Sequence, residues 1–176
     1  MLKIVITGPE SCGKTTLATQ LATHFNAPLV SEFAREFLQN KDTPQYVQAD
    51  LLKIAQQQCE NENAALSIPN NTLIICDTDV LTLKIWSEEK YNSCDIWILN
   101  QLYDTFPTIY FLCSPENIAW EEDDLRENPH DRTRLFYLYE ENLKNYDKTY
   151  FILRGTKNRR FHAATAEIIN FHGHFI

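Results

Sequence analysis

Short apolar segments alternate with longer amphipathic segments along this chain. The apolar runs cover residues 2–7, 27–31, 72–77, 108–113 and 149–153 and are rich in β-branched and aromatic residues, which is typical of buried strands. Between them, apolar residues recur at spacings of three and four positions, as on one face of a helix. This alternation predicts an α/β fold with a mainly parallel five-stranded sheet and helices on both faces.

The pattern also predicts where individual helices begin. Thr43 followed by Pro44 is typical of a helix N-terminus, so a long helix is predicted from about residue 45 to about residue 66. Another helix is predicted to begin at Asn117, after the fourth strand. Residues 91–107 show weaker periodicity and are predicted to be irregular or weakly helical.

A motif with two glycines lies between the first strand and the first helix. Residues 8–15, Gly-Pro-Glu-Ser-Cys-Gly-Lys-Thr, match the pattern G-x-x-x-x-G-K-[ST] at every fixed position. Such a loop directs several backbone N–H groups and the positive end of a helix dipole at one small volume, which suits a phosphate. Lys14 is expected to contact the β- and γ-phosphates of a nucleotide, and the Thr15 hydroxyl to bind magnesium. The motif predicts a P-loop NTPase fold of the kinase-like type.

Charged side chains follow the second and third predicted strands, where ligand-binding groups of α/β sheets collect. Glu32 and Arg35 follow the second strand, and Asp77 and Asp79 follow the third. An Asp that ends a strand beside a P-loop commonly holds magnesium, so we assign that role to Asp77. Two alternatives stay open. Glu32 could be a first-turn acid that complements a helix dipole, and Asp79 could be a helix cap.

The most charged stretch of the chain follows the fourth strand, at residues 121–134. It contains three arginines, Arg126, Arg132 and Arg134. We interpret residues 115–134, approximately, as a lid whose arginines close over the transferring phosphoryl group; the alternative is a solvated helical hairpin. The loop after the last strand carries Arg159, which by analogy of fold is expected to contact the adenine.

Composition limits the number of domains and the classes of partner. The 176 residues suffice for one domain, residues 1–176. The 16 Lys and Arg against 24 Asp and Glu give a net charge of −8, which argues against general binding of nucleic acid or membrane surfaces. The five cysteines are scattered, which favours a reducing cytoplasm over a disulfide framework or a zinc site. The chain shows no signal peptide and no apolar run long enough to span a membrane, so a soluble protein is expected.

Two further motifs help to separate a GTPase from a kinase. A GTPase would carry N-K-x-D after a strand, and residues 40–43, Asn-Lys-Asp-Thr, depart from that pattern by one residue. A GTPase would also carry D-x-x-G after the third strand, and residues 77–80, Asp-Thr-Asp-Val, lack the glycine. A small-molecule kinase is therefore favoured.

Four blocks of residues follow one another in a characteristic order. They are Gly8-Pro9-Glu10-Ser11 with Gly13-Lys14-Thr15-Thr16-Leu17, then Glu32-Phe33-Ala34-Arg35-Glu36-Phe37, then Asp77-Thr78-Asp79, and then Trp120 with Asp123-Asp124-Leu125-Arg126 and Asp131-Arg132. In these blocks the chain resembles the ribosylnicotinamide kinase domain of the bacterial NadR proteins, over nearly its whole length. The resemblance implies transfer of the γ-phosphoryl group of ATP to the 5′-hydroxyl of nicotinamide riboside. Because the P-loop begins at residue 8, the upstream DNA-binding and adenylyltransferase domains of full-length NadR proteins are not expected, nor are their activities.

The resemblance and the P-loop chemistry together imply a role for each candidate residue. The implied ATP-binding residues are Gly8, Pro9, Glu10, Ser11, Cys12, Gly13, Lys14, Thr15, Thr16 and Arg159, and the implied magnesium ligands are Thr15 and Asp77. The implied catalytic residues are Lys14, Glu32, Asp77, Arg126 and Arg132, with Glu32, or failing that Asp79, as the base. The implied substrate-binding residues are Glu32, Arg35, Asp79, Trp86 and Trp120. Either tryptophan could stack on a cationic nicotinamide ring, and buried packing is the alternative role for both.

Other functions remain open at this stage. A kinase of another nucleoside or nucleotide would use the same ATP site. A nucleotide-dependent ATPase switch, whose product is a conformation, is the alternative of a different class. The expected partner is a small, nucleoside-like substrate, with no nucleic acid and no membrane, and the oligomeric state stays undetermined.

Overall fold

A computed structural model describes residues 1–41, 45–122 and 130–172 of the chain. Five strands and seven helices alternate within these ranges. The strands are β1 (Leu2–Thr7), β2 (Leu29–Val30), β3 (Leu73–Asp77), β4 (Thr108–Cys113) and β5 (Thr149–Leu153). The helices are α1 (Lys14–Phe25), α2 (Phe33–Gln39), α3 (Gln48–Leu66), α4 (Val80–Tyr91), α5 (Ile96–Gln101), α6 (Arg132–Asn145) and α7 (Lys157–His172).

The five strands form one parallel sheet in the order β2-β3-β1-β4-β5. The central strand β1 pairs with β3 on one side and β4 on the other, so that Ile6 lies opposite both Asp77 and Phe111. All strands point the same way, and their carboxyl ends therefore form one edge of the sheet. The strand order reverses beside β1, which is where such sheets place their ligands. The predicted fold class is confirmed.

Two apolar cores cover the two faces of the sheet. Alternate residues of β1 contribute to each, since Val5 lies in one core and Ile4 and Ile6 in the other. Residues of α3, α4, α5 and α6 complete the first core, and residues of α1 and α7 complete the second. Among the described helices, none combines the length and the hydropathy that crossing a bilayer requires.

The structure corrects two predicted helix starts. The long helix begins at Gln48, after Val47 as its N-cap, so residues 45–47 are not helical; Thr43 and Pro44 lie outside the described residues. The carboxylate of Asp50 accepts a hydrogen bond from the backbone N–H of Val47 at 3.0 Å, which stabilises the helix N-terminus at this position. No helix begins at Asn117, which adopts a left-handed φ of 60° in a turn. That conformation is incompatible with a right-handed helix.

Candidate active site

The P-loop connects the end of β1 to the first residue of α1. Gly8, Ser11 and Gly13 all have left-handed φ values, of 132°, 51° and 83°. Such alternating conformations curl the backbone so that successive N–H groups face a common centre. Helix α1 then starts at Lys14 and adds its N-terminus to the same concavity. The local sequence therefore folds into the anion-binding loop that its motif predicts.

Gly8 permits a close approach between the P-loop and the end of β4. A Cβ atom at this position would lie 2.7 Å from the backbone carbonyl oxygen of Cys113 and 3.4 Å from the Sγ atom of Cys12. Both neighbours are buried, and the carbonyl belongs to the sheet, so neither can move away cheaply. By contrast, a Cβ atom at Gly13 would meet no atom within 4 Å.

We expect the Gly8→Ala variant to lose about 2–4 kcal/mol in its free energy of unfolding, because overpacking adds to backbone strain. The Gly13→Ala variant is the matched control, since it carries only the strain of a left-handed alanine, about 1–2 kcal/mol. Urea denaturation without nucleotide measures both values. Equal losses in the two variants would contradict the steric explanation.

Lys14 spans the P-loop. Its ammonium group donates a hydrogen bond to the carbonyl of Pro9 at 2.8 Å. Burial by itself would lower the pKa of Lys14, but nearby groups, including Cys12, Glu32 and Asp77, raise it above its ordinary value. The side chain is therefore expected to be protonated at neutral pH, and it lines the cleft beside the loop.

Asp77 ends β3 beside this loop and meets the requirements of a magnesium ligand. It is only 3% exposed, and its Oδ1 atom has no hydrogen-bond partner within the described parts of the chain. The pKa of Asp77 is raised overall, because burial raises it by more than a hydrogen bond from Thr15 and the charges of Lys14 and Arg35 lower it. A buried carboxylate oxygen with an adjacent hydroxyl suits a hard cation. The described residues contain no cluster of three or more His, Cys, Asp or Glu side chains that could hold a metal ion.

Glu32 precedes α2, and its carboxylate is not used to cap that helix. The first backbone N–H of α2, at Phe33, is instead satisfied by the side-chain oxygen of Gln58 at 3.0 Å. Burial raises the pKa of Glu32, and the charges of Lys14 and Arg35 oppose that rise. Glu32 and Arg35 both line the cleft above the P-loop. Glu32 thus lies both at the N-cap of α2, where its charge suits the helix dipole, and in the cleft.

One cleft brings most of the predicted residues together. Besides Glu10–Leu17 of the P-loop and α1, its lining comprises Gln20, Glu32, Ala34, Arg35, Leu38, Trp86, Ile118, Glu121, Lys157 and Arg160. A second cavity, which we call the side cavity, shares Glu10, Leu38 and Trp86 with the cleft. Its remaining lining residues are Pro9, Tyr46, Ile85, Glu89, Lys90, Leu135 and Tyr139. Trp86, which is half-buried, stands at the boundary between the two.

The structure does not bring Asp79 to the cleft. Its side chain is 1% exposed, caps α4 by accepting the backbone N–H of Leu81 at 3.0 Å, and accepts the hydroxyl of Tyr110 at 2.6 Å. This is the capping role that the sequence also allowed. Asp77 and Asp79 therefore have different surroundings, although only one residue separates them.

The segment after β4 contacts the P-loop through Ser11. The Ser11 hydroxyl accepts the backbone N–H of Glu121 at 2.9 Å, and Arg132 donates to the carbonyls of Ser11 and Ile118, each at 3.1 Å. The guanidinium of Arg132 also lies 5.6 Å from the centre of the Trp120 ring. Trp120 thus contacts Arg132, and it is not among the residues that line the cleft. Arg126 lies outside the described residues.

Sequence reasoning missed Arg160. Arg159, the predicted adenine contact, is exposed and does not line the cleft, whereas Arg160 does and is 3% exposed. A signal was present in the sequence, because Arg160 shares a helix face with Ala164 and Ile168 at spacings of four residues, and both are fully buried. That periodicity places Arg160 inward and Arg159 outward.

This fold and this loop define a P-loop nucleotide-binding domain. The model of an AAA domain family matches residues 3–160, and the chain belongs to that family. A comparison of the sequence with curated proteins found no match.

Solved structures with the same fold include two of NadR proteins. One, in complex with NR (nicotinamide riboside), has a TM-score of 0.73 and 20% identity and covers 97% of this chain and 50% of that chain. The other, in complex with NAD and AMP-PNP, has a TM-score of 0.68 and 21% identity, and the match covers 94% of this chain and 48% of that chain. A deoxyadenosine kinase from M. mycoides has a TM-score of 0.62 and 19% identity, and the match covers 96% of this chain and 99% of that chain. The resemblance to NadR is confirmed in fold, and this chain spans about half the length of those NadR chains.

Proposed function

We propose that this protein is an ATP-dependent small-molecule kinase and that its acceptor is nicotinamide riboside, which it converts to nicotinamide mononucleotide. The observation that carries the proposal is one cleft in which the P-loop, Lys14, Glu32 and Arg35 face each other, with the buried carboxylate of Asp77 beside Thr15. The fold shared with a NadR chain that binds NR supports the choice of acceptor.

ATP would occupy the P-loop side of the cleft. The backbone of residues 8–15 and the ammonium of Lys14 would hold the β- and γ-phosphates. Thr15 and Asp77 would hold magnesium, which when bound neutralises charge on the phosphates. Arg132, which contacts the loop at Ser11, would help to keep the lid segment over the phosphates. The protein thus contributes mainly positioning and charge.

The acceptor would occupy the region between Glu32 and the side cavity. Trp86 borders both spaces, and a flat aromatic side chain suits a cationic pyridinium ring. Another aromatic wall, Tyr46, has the ammonium of Lys90 3.6 Å from its ring centre, which leaves Trp86 as our choice for stacking. Arg35 would orient the ribose, and Glu32 would accept the proton of the 5′-hydroxyl. Burial raises the pKa of Glu32 towards neutral pH. A general base is most effective when its pKa lies near the pH at which the enzyme works.

A kinase of another nucleoside is the second candidate, and the shared fold of the deoxyadenosine kinase favours it. A nucleoside monophosphate as acceptor has weaker support. A phosphorylated acceptor would need extra cations near Glu32, and Lys41, which lies nine residues further along the chain, is held by the carboxylate of Asp50 at 2.6 Å and the carbonyl of Gln45 at 2.7 Å.

Magnesium-dependent ATP consumption by the purified protein tests the proposal. We expect nicotinamide riboside to give the highest kcat/KM in a panel of nucleosides and their monophosphates, by roughly tenfold or more, with nicotinamide mononucleotide as the product identified by mass spectrometry. The Lys14→Ala protein, purified in parallel, controls for contaminating ATPases. Preference for another nucleoside would replace the acceptor and keep the ATP site. Turnover that no acceptor stimulates would favour an ATPase switch.

A further inference from the structure

A single buried guanidinium joins the loops that follow three strands of the sheet. Arg160 donates to the carbonyl of Cys12 at 2.8 Å in the P-loop, to that of Ser114 at 2.7 Å after β4, and to that of Gly155 at 2.9 Å after β5. A longer contact of 3.4 Å reaches the carbonyl of Glu116. Four of its five N–H groups are therefore directed at backbone oxygens.

Within the described ranges 1–41, 45–122 and 130–172, every hydrogen-bond acceptor of the Arg160 guanidinium is a neutral backbone carbonyl. A buried guanidinium is costly unless its donors are satisfied. The four carbonyls accept hydrogen bonds from all three nitrogens of the guanidinium. Arg160 also lines the cleft, so its guanidinium lies beside the P-loop that would receive the phosphates.

The contact with Cys12 has a direct geometric consequence for the P-loop. A trans peptide is planar, and its C=O and N–H bonds point in opposite directions. Arg160 donates to the carbonyl of the peptide bond between Cys12 and Gly13, and the N–H of that peptide bond belongs to Gly13. The hydrogen bond from Arg160 therefore fixes the orientation of this peptide and, with it, the direction of the Gly13 N–H on the opposite side. Arg132 acts on the preceding peptide in the same way, through the carbonyl of Ser11.

We propose that Arg160 is a positioning residue for the phosphates of ATP. It holds the peptide between Cys12 and Gly13 in the orientation that binds phosphate, and it ties that peptide to the loops after β4 and β5. The inference rests on the proposed function only in taking ATP as the ligand. Nucleotide binding can be measured without any acceptor.

The Arg160→Lys variant tests this role, because lysine keeps the charge but carries its donors on one nitrogen and cannot reach three loops. We expect the Kd for Mg²⁺–AMP-PNP, measured by isothermal titration calorimetry, to rise by roughly tenfold or more, the usual loss on removing a hydrogen bond to a charged group. The control is Arg154→Lys, at an exposed arginine paired with the carboxylate of Glu116 at 3.0 Å. Its Kd is expected to stay within about twofold of the wild-type value.

Two further readouts separate positioning from simple stabilisation and from simple charge. The KM for ATP should rise in Arg160→Lys while the KM for the acceptor stays unchanged, and Arg160→Met should bind AMP-PNP as weakly as Arg160→Lys. The proposal would be overturned if the Arg160→Lys protein were less stable than the wild type but bound AMP-PNP with an unchanged Kd. It would also be overturned if Arg160→Lys bound AMP-PNP normally while Arg160→Met did not, because the charge alone would then be sufficient. Should Arg160→Lys not fold, Arg160→Gln takes its place in the same titration. A wild-type protein that fails to bind AMP-PNP would contradict the proposed function itself.

Discussion

Replacing Lys14 by Ala is expected to lower kcat by about 10²–10³-fold, the loss that follows removal of one preorganised group that stabilises transition-state charge. Lys14 lies across the P-loop with its ammonium 2.8 Å from the carbonyl of Pro9, and the acids around it keep it protonated. Methionine at position 14 provides a second variant that keeps the side-chain length without the charge. Steady-state kinetics with saturating ATP and acceptor measure the loss.

Glu32→Gln is the comparison for this prediction. We expect a clearly smaller loss at Glu32, because most of the rate in phosphoryl transfer comes from positioning and charge neutralisation and little from the base. Glutamine keeps the shape of the side chain and, as the structure shows no capping bond from Glu32, leaves the start of α2 intact. Comparable losses in the two variants, or a larger loss in Glu32→Gln, would reverse this ranking and make proton transfer the dominant contribution.

The Asp77→Asn variant is expected to need roughly 10–100 times more magnesium for half-maximal activity and to have a reduced kcat. The variant keeps the shape of the side chain but removes the charge that would hold the cation next to Thr15. Without magnesium its unfolding midpoint should not fall, because a neutral amide costs less to bury than a carboxylate whose Oδ1 atom lacks a partner in the described chain. Activity across a magnesium titration and thermal unfolding measure the two effects.

Asp95→Asn is the control for Asp77→Asn. Asp95 caps α5 by accepting the backbone N–H of Trp97 at 2.8 Å, and asparagine caps helices about as well as aspartate. The magnesium requirement should be unchanged in this variant. An unchanged requirement in Asp77→Asn as well would exclude Asp77 as a magnesium ligand.

Much of the fold could be predicted because its signals are local. The five apolar runs are short and bounded by polar residues, and each contains one of the five strands of the sheet. The P-loop could be predicted for the same reason, since its eight positions are contiguous and lie between a strand and a helix. The helix predicted to begin at Asn117 is absent and α3 begins three residues after the predicted start near residue 45, because helix ends depend on individual contacts such as that of Asp50 with Val47.

By itself, the sequence determined the α/β class, the P-loop with its lysine, and which strands end in carboxylates. Only the tertiary structure decided which of those side chains reach the cleft. Arg159 and Arg160 are adjacent, yet only Arg160 lines the cleft. Asp77 and Asp79 are two positions apart and neither lines the cleft, but Asp77 contacts Thr15 of the P-loop whereas Asp79 caps α4. The physical reason is direction and distance. A side chain reaches the site only if the backbone turns it towards the carboxyl edge of the sheet, and its partners, as for Arg160 and Cys12, come from segments far apart in the chain.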